Sequence, residues 1–296
     1  NGFINNQGFA RTGMMTVVVG AIMNIILDPV FIFVFDMGVQ GAAIATVLSQ
    51  MVSALWVLRF LTGKTTTLHL RPAVMRLKLS RVKNITVLGL TGFMMQFTNS
   101  VVQIVCNSTL QTWGGDLYVG VMTVMSSIRE IFNMPAMGLT NGAQPVMSFN
   151  YGAGQYDRVK KAIKFTAATG VIMFTVLWGI VTVFPAFFVH IFNSDPKMIE
   201  ACVPVMHIYF FGLFMMSLQF CGQSIFVALG KAKYAIFFSI FRKIIIVVPL
   251  TILLPGMWNL GTNGVFAAEP VSNFVGGAAC FITMLCVVMP GLNGKK

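Results

Sequence analysis

The sequence is poor in charge, and above all in acid. It holds 8 Asp and Glu residues against 20 Lys and Arg, and charged residues make up only 9% of its 296 positions. A soluble domain carries charge on about a quarter of its positions. A surface this short of charge cannot face water over most of its area, which excludes an ordinary soluble globule. Histidine is scarcer still, with His69, His190 and His207 scattered along the chain. No nucleophile–base pair or metal-ligand spacing appears, so an enzyme is not expected. There is no Gly-rich run ending in Gly-Lys-Ser/Thr, which removes the usual signature of ATP drive. The five cysteines, Cys106, Cys202, Cys221, Cys280 and Cys286, lie in apolar blocks without a Cys-x-x-Cys pair. They read as small packing residues, neither a disulfide framework nor a metal site.

What is present is apolar sequence. The hydrophobic set makes up 56% of the chain, in blocks of about 20 to 30 residues. As helices these are long enough to cross a hydrocarbon core of about 30 Å. The expected class is an all-α integral membrane protein with eight transmembrane helices. The predicted spans are 12–35, 40–61, 85–111, 117–147, 160–192, 198–227, 235–255 and 264–289. The net charge of +12 falls on alternate connections. Arg59, Lys64, Arg71, Arg76, Lys78, Arg81 and Lys83 mark one basic cluster, and Arg158, Lys160, Lys161 and Lys164 a second. Lys231, Lys233, Arg242 and Lys243 mark a third, and Lys295 and Lys296 close the chain. The connections between them are acidic, mixed or uncharged. Such alternation makes the basic loops and both ends of the chain cytoplasmic, and explains the charge without nucleic acid.

The first two spans resemble the last two. Asn24-Ile25-Ile26-Leu27-Asp28-Pro29 aligns with Ile244-Ile245-Ile246-Val247-Val248-Pro249, and Gly38-Val39-Gln40-Gly41 with Gly261-Thr262-Asn263-Gly264. Thr46 then stands opposite Glu269, and Ser49-Gln50 opposite Ser272-Asn273. Both pairs run in the same sense, as in a parallel repeat. Four spans separate the copies, so the repeating unit is six helices. The expectation is a two-lobe, twelve-helix (6+6) protein, of which 1–61 would be the last two helices of the N-lobe, 62–84 a basic cytoplasmic linker, and 85–296 a complete six-helix C-lobe. In that reading the first four helices precede Asn1.

Several residues carry the likeness to a known family. They are Pro135-x-x-Gly138-x-x-x-Gly142-x-Gln144-Pro145, then Asn150-Tyr151-Gly152-Ala153, together with Asn24-x-x-x-Asp28-Pro29 and Ala228-Leu229-Gly230-Lys231-Ala232. In these the chain resembles the multidrug and toxic compound extrusion (MATE) family, on the bacterial branch of DNA-damage-inducible exporters. The resemblance implies an antiporter in the bacterial inner membrane, monomeric, with H⁺ or Na⁺ as coupling ion and no other cofactor. Small organic, often cationic, compounds would be its substrates and the lipid bilayer its surroundings, with no nucleic-acid partner. A lipid-linked saccharide or peptidoglycan-precursor flippase shares the architecture and is the alternative.

Asp28 is the first candidate for the coupling site. A carboxylate in the middle of an apolar span costs roughly 3 kcal/mol or more unless it is protonated, paired or bound to a cation. Asn24, four residues earlier, shares its helical face, and Thr46 on the return helix offers a hydroxyl. The resemblance assigns all three to the family's N-lobe cation or proton site, with Na⁺ at Asp28 as the only metal to consider. It also implies an Asp on the family's first helix, outside this chain. Gln96 and Asn99, followed by Asn107, form a polar stripe, and Gln219 and Gln223 an i, i+4 pair. Each amide suits either contact with varied solutes or packing between helices. Pro29, Pro135 and Pro145 interrupt spans and are candidate hinges, as are helix breaks in transporters generally. Arg129 and Glu130, adjacent and so pointing about 100° apart, each need a separate partner. Glu269, beside Pro270, reads as structural. The 21 Met and 27 Phe residues suit an adaptable pocket or a lipid face equally.

Overall fold

The structure, a computed structural model, describes residues 2–63, 66, 78–257 and 259–293. It forms two compact units, Asn1–Lys78 and Leu79–Lys296. Every regular element among the described residues is helical. Most of the linker expected over 62–84 lies outside those residues, as do Lys295 and Lys296, and 79–84 is already helix.

In the first unit, α1 (Gly2–Asn6) leads into α2 (Ala10–Pro29), which continues as a wider turn over Val30–Val34. In that turn the Phe35 amide bonds to the Val30 carbonyl, five residues back, at 3.0 Å. Pro29 supplies the reason: it lacks an N–H, so the helix around it cannot keep its regular bonds and the winding relaxes. The chain reverses at 35–37 into α3 (Gly38–Thr62). The two long helices are tied where Ser53 Oγ donates to the Thr16 carbonyl at 3.2 Å, and Phe9 packs edge-on against Phe60.

The second unit opens with α4 (Leu79–Gly152), which is two helices in one element. Gly115, at φ 65° and ψ −164°, breaks it into arms 79–114 and 116–152. The arms fold back on each other, since Ser126 Oγ donates to Gln103 Oε1 at 3.5 Å. On an unbroken helix those residues would stand about 35 Å apart. After α5 (Tyr156–Val183) come α6 (Pro185–Phe192), α7 (Pro196–Tyr209) and α8 (Leu213–Ala228). Next is α9 (Ala232–Ile240), which runs through a wide turn at Phe241–Val247 into α10 (Val248–Leu253), and α11 (Thr262–Asn293) ends the unit.

Five of these helices are long and apolar enough to cross a membrane: Ala10–Val34, Gly38–Thr62, Tyr156–Val183, Ala232–Gly256 and Thr262–Leu292. The pair α7 and α8, bent by 56°, makes a sixth if it is one span. The arms of α4 carry Gln96, Asn99, Gln103, Asn107, Arg129, Glu130 and Asn133 and are not among the five. Two predicted spans are not single helices. The span 160–192 is interrupted at Phe184, whose helical geometry is disfavoured by Pro185. The span 198–227 is bent at Gly212, which adopts φ 70°, a backbone conformation that glycine reaches without penalty.

The aligned hairpins close alike. Asp36 and Gly38 have φ of 52° and 51°, and Asn259 and Gly261 have φ of 54° and 53°. Three residues on, Gly41 and Gly264 are pressed against the preceding helix. A Cβ on Gly41 would lie 2.7 Å from the Phe31 carbonyl oxygen, and one on Gly264 2.7 Å from the Leu254 carbonyl carbon. The repeated glycines thus mark one turn used twice.

The second unit has two apolar cores. One gathers Leu110, Met125, Ile128, Phe174, Met206 and Phe266 from α4, α5, α7 and α11. The other gathers Met147, Ile163, Ile225, Phe226, Cys280 and Met284 from α4, α5, α8 and α11. Small residues set the spacing of α8 and α11. A Cβ on Gly277 would stand 2.6 Å from the Met215 carbonyl oxygen, and one on Gly222 2.9 Å from Cys280 Sγ. Large apolar side chains such as Ile25, Phe33, Phe149, Phe165 and Ile282 are exposed on the outside, as a lipid-facing surface requires.

Candidate functional sites in the two units

In the first unit, Asn24 and Asp28 sit on one face of α2, and Asn24 Nδ2 donates to Asp28 Oδ1 at 3.1 Å. Both are half-buried. Asp28 immediately precedes Pro29 and the wide turn, so a carboxylate and a helix irregularity share one place. Thr46 is exposed on α3, and its hydroxyl donates to the Ala42 carbonyl at 2.9 Å. Of the three residues expected together, the structure joins Asn24 and Asp28 by a hydrogen bond, and Thr46 is satisfied within its own helix.

The proline candidates differ in effect. Pro29 ends the regular part of α2, whereas Pro135 and Pro145 lie within the helical arm 116–152. Gln96 and Asn99 are exposed and bonded to each other, Asn99 Nδ2 donating to Gln96 Oε1 at 3.1 Å. Gln219 and Gln223 are buried on α8. Gln223 Nε2 donates to the Ala235 carbonyl at 3.2 Å, which ties α8 to α9, while Gln219 Oε1 is buried without a hydrogen-bond partner. No hydrogen bond among the described residues links the two glutamine-bearing stripes.

A second constellation lies in the larger unit, and there the structure corrects the sequence reading. Arg242 and Lys243, grouped with the basic loop, stand in the middle of the apolar helix Ala232–Gly256. Arg242 is only 6% exposed and Glu269 only 7%. The Arg242 guanidinium forms an ion pair and hydrogen bond with the Glu269 carboxylate, and Arg242 Nε donates to Ser272 Oγ at 3.3 Å. Arg129, from arm 116–152, approaches the same carboxylate at 3.5 Å and stands 5.8 Å over the Tyr209 ring. Lys243, next in the chain, donates to the Met95 carbonyl at 3.1 Å. Glu130 is exposed, and Asn133 Nδ2 donates to its carboxylate at 3.4 Å. Glu269 therefore holds α11 to both α9–α10 and α4 in the buried interior of the unit. The stem of Arg242 lies against Gly276, where a Cβ would come within 2.9 Å of it. Beside the cluster is a cavity of about 10 Å³, lined among others by Val102, Gln103, Arg129, Tyr209, Val247 and Glu269, with room for about one water.

A sequence signal for the Arg242–Glu269 pair existed. Arg242, beside Lys243, and Glu269 lie about equally far on either side of Pro255, and an antiparallel helix pair brings such positions to one depth.

A two-unit, all-helical membrane protein with charged groups placed inside its spans has the form of a transporter. The MatE family model matches residues 93–253, and the chain belongs to that family, whose members are membrane transporters and not enzymes. Among its relatives, the multidrug export protein MepA of Staphylococcus saprophyticus is 23% identical over 258 residues, covering 87% of this chain and 56% of that protein. MepA of Staphylococcus aureus (strain NCTC 8325 / PS 47) gives the same identity and coverage. The chain spans about half the length of the curated relatives it matches. In fold it is similar to an outward-facing multidrug resistance MATE family transporter of the MOP superfamily. The TM-score is 0.89 and the identity 22%, over 97% of this chain and 64% of that one.

Proposed function

We propose that the chain is the last two helices of the N-lobe and the whole C-lobe of a twelve-helix antiporter that exports small organic compounds by alternating access. In this reading both arms of α4 cross the membrane, which gives eight spans, and both ends of the chain face the cytoplasm of a bacterial cell. The observation that carries it is the Asn24–Asp28 pair beside Pro29 and the wide turn at Val30–Val34. A carboxylate within a span is retained at a cost of about 3 kcal/mol only where it has work to do. Binding of H⁺ or Na⁺ at Asp28 changes the local charge next to the one part of α2 whose winding is already relaxed. The change can therefore be passed on as a bend. The export activity of the MepA relatives supports the direction of transport.

Replacing Asp28 by Asn in the complete transporter keeps the shape and removes the charge. Drug resistance conferred on a sensitive bacterial host is expected to fall to the level of the empty vector, with membrane expression unchanged. Unaltered resistance in a well-expressed Asp28→Asn protein contradicts the reading. Translocation of a lipid-linked saccharide is a second reading, favoured by one observation: Arg129 and Arg242 together outnumber the carboxylate they share. Flipping of a labelled lipid-linked precursor in proteoliposomes, without drug export, would select it.

A further inference from the structure

Around Glu269 the charges do not balance. Arg129 and Arg242 bring two fixed positive charges from α4 and the wide turn of α9–α10, Lys243 adds a buried amine beside them, and Glu269 brings one negative charge. The other carboxylate nearby, Glu130, is exposed and hydrogen-bonded to Asn133. An excess of positive charge inside a span is costly unless an anion accompanies it.

The three basic groups are not equally held. Arg242 is locked: it pairs with Glu269, bonds to Ser272 and lies across Gly276. Among the described residues Lys243 is tied only to a neutral backbone carbonyl, that of Met95. Arg129 is held less tightly than Arg242. Its side chain is 21% exposed against 7% for Arg242, and its approach to Glu269 is 3.5 Å. Its Nε is buried and has no hydrogen-bond partner among the described residues. A guanidinium has five N–H donors in a planar fork, so Arg129 keeps donors to spare. The cavity between it and Gln103, Tyr209 and Val247 is walled by apolar and neutral polar groups, with no carboxylate but Glu269.

We infer that Arg129, backed by Lys243, forms a binding site in the C-terminal unit for one anionic group, either a carboxylate borne by an organic molecule or a free halide. Glu269 is the resident acid, already taken by Arg242. The guest takes the free edge of Arg129. The cavity as it stands admits about one water, so the guest enters as the Arg129 side chain swings away from Glu269. The site gives the transporter an affinity for acidic or zwitterionic compounds, and it disfavours a lone organic cation at this place. It deepens the export reading without depending on it, because occupancy can be measured with no transport at all.

The test is equilibrium binding of radiolabelled benzoate to the purified transporter in nanodiscs at fixed ionic strength, with chloride as competitor. One saturable site per protein is expected, weakened at least tenfold by Arg129→Gln and less by Arg129→Lys. Lys243→Gln, which leaves the Arg129–Glu269 contact in place, is expected to weaken binding severalfold and serves if Arg129→Gln fails to fold. Saturable benzoate binding displaced by chloride identifies a carboxylate site that a halide can share. Saturable radiochloride binding without benzoate binding identifies a halide site. Absence of both, or binding that neither substitution alters, overturns the inference. Failure of Asp28→Asn to abolish resistance, with benzoate binding intact, would count against the coupling reading alone.

Discussion

At the scale of single residues, Glu269 carries more than any other side chain in the larger unit. It is nearly inaccessible and stands between two guanidinium groups. Removing one partner of a buried ion pair leaves an uncompensated charge and costs about 3–5 kcal/mol. Glu269→Gln is therefore expected to lower stability by about that amount, measured by denaturant unfolding in detergent micelles. The double substitution Glu269→Leu with Arg242→Met removes both charges and should recover most of the loss. If the double variant were as unstable as the single one, the pair would not be the cause. The residue scale is also where the sequence was least complete as a guide. Asn24 and Asp28 were legible because both lie on one helix at i, i+4, a spacing that fixes proximity without knowledge of the fold. Thr46 lies on another helix, and its hydroxyl found a backbone carbonyl one turn away instead. Arg242 was hidden by its proximity to Lys231 and Lys233, since a basic loop and a buried arginine look alike in a count of charges.

At the scale of elements, helix ends and small residues set the architecture. The spans read from hydropathy fall mostly where helices stand, because lipid leaves a buried backbone few alternatives to helix. What hydropathy could not show is a break within an apolar run. Phe184 and Gly212 interrupt helices without any fall in hydrophobicity, through the stereochemistry of Pro185 and of a left-handed glycine. The paired turns at Gly38 and Gly261 were legible as a repeated glycine spacing, and the structure gives that spacing its reason in positive φ and close backbone approach. Gly264→Ala places a methyl group against the backbone of Leu254 and Pro255 and is expected to cost about 1–3 kcal/mol. Gly179→Ala, in α5 with nothing within 4 Å of the new carbon, should cost nothing and gain up to about 1 kcal/mol in helix propensity. Comparing the melting temperatures of the two variants checks the sign of each. Equal shifts would mean that the turn is not tightly packed.

At the scale of the whole molecule, orientation follows from the loops that flank the helices. With Arg242 and Lys243, which lie inside the expected span 235–255, no longer counted with the loop, the third basic connection rests on Lys231 and Lys233, and the alternation of basic and other loops survives the loss. In a protein whose native cysteines are replaced, Lys197→Cys is expected to react with a membrane-impermeant maleimide in intact cells. Lys233→Cys should react only after permeabilisation. The opposite pattern would invert the topology and with it the sidedness of the cluster at Glu269.

The wide turn at Phe241–Val247 has one more consequence. There the Val248 amide bonds to the Lys243 carbonyl, five residues back, so the stretch contains a residue more than an α-helix of the same length would hold. If that surplus were handed along the chain, each side chain it passed would swing around the helix axis by about 100° and climb about 1.5 Å. Arg242 and Lys243 are mounted on this stretch. Their contacts with Glu269, Ser272 and the Met95 carbonyl therefore depend on how this stretch is wound, and rewinding it by one residue would carry both side chains away from those partners without unfolding the helix.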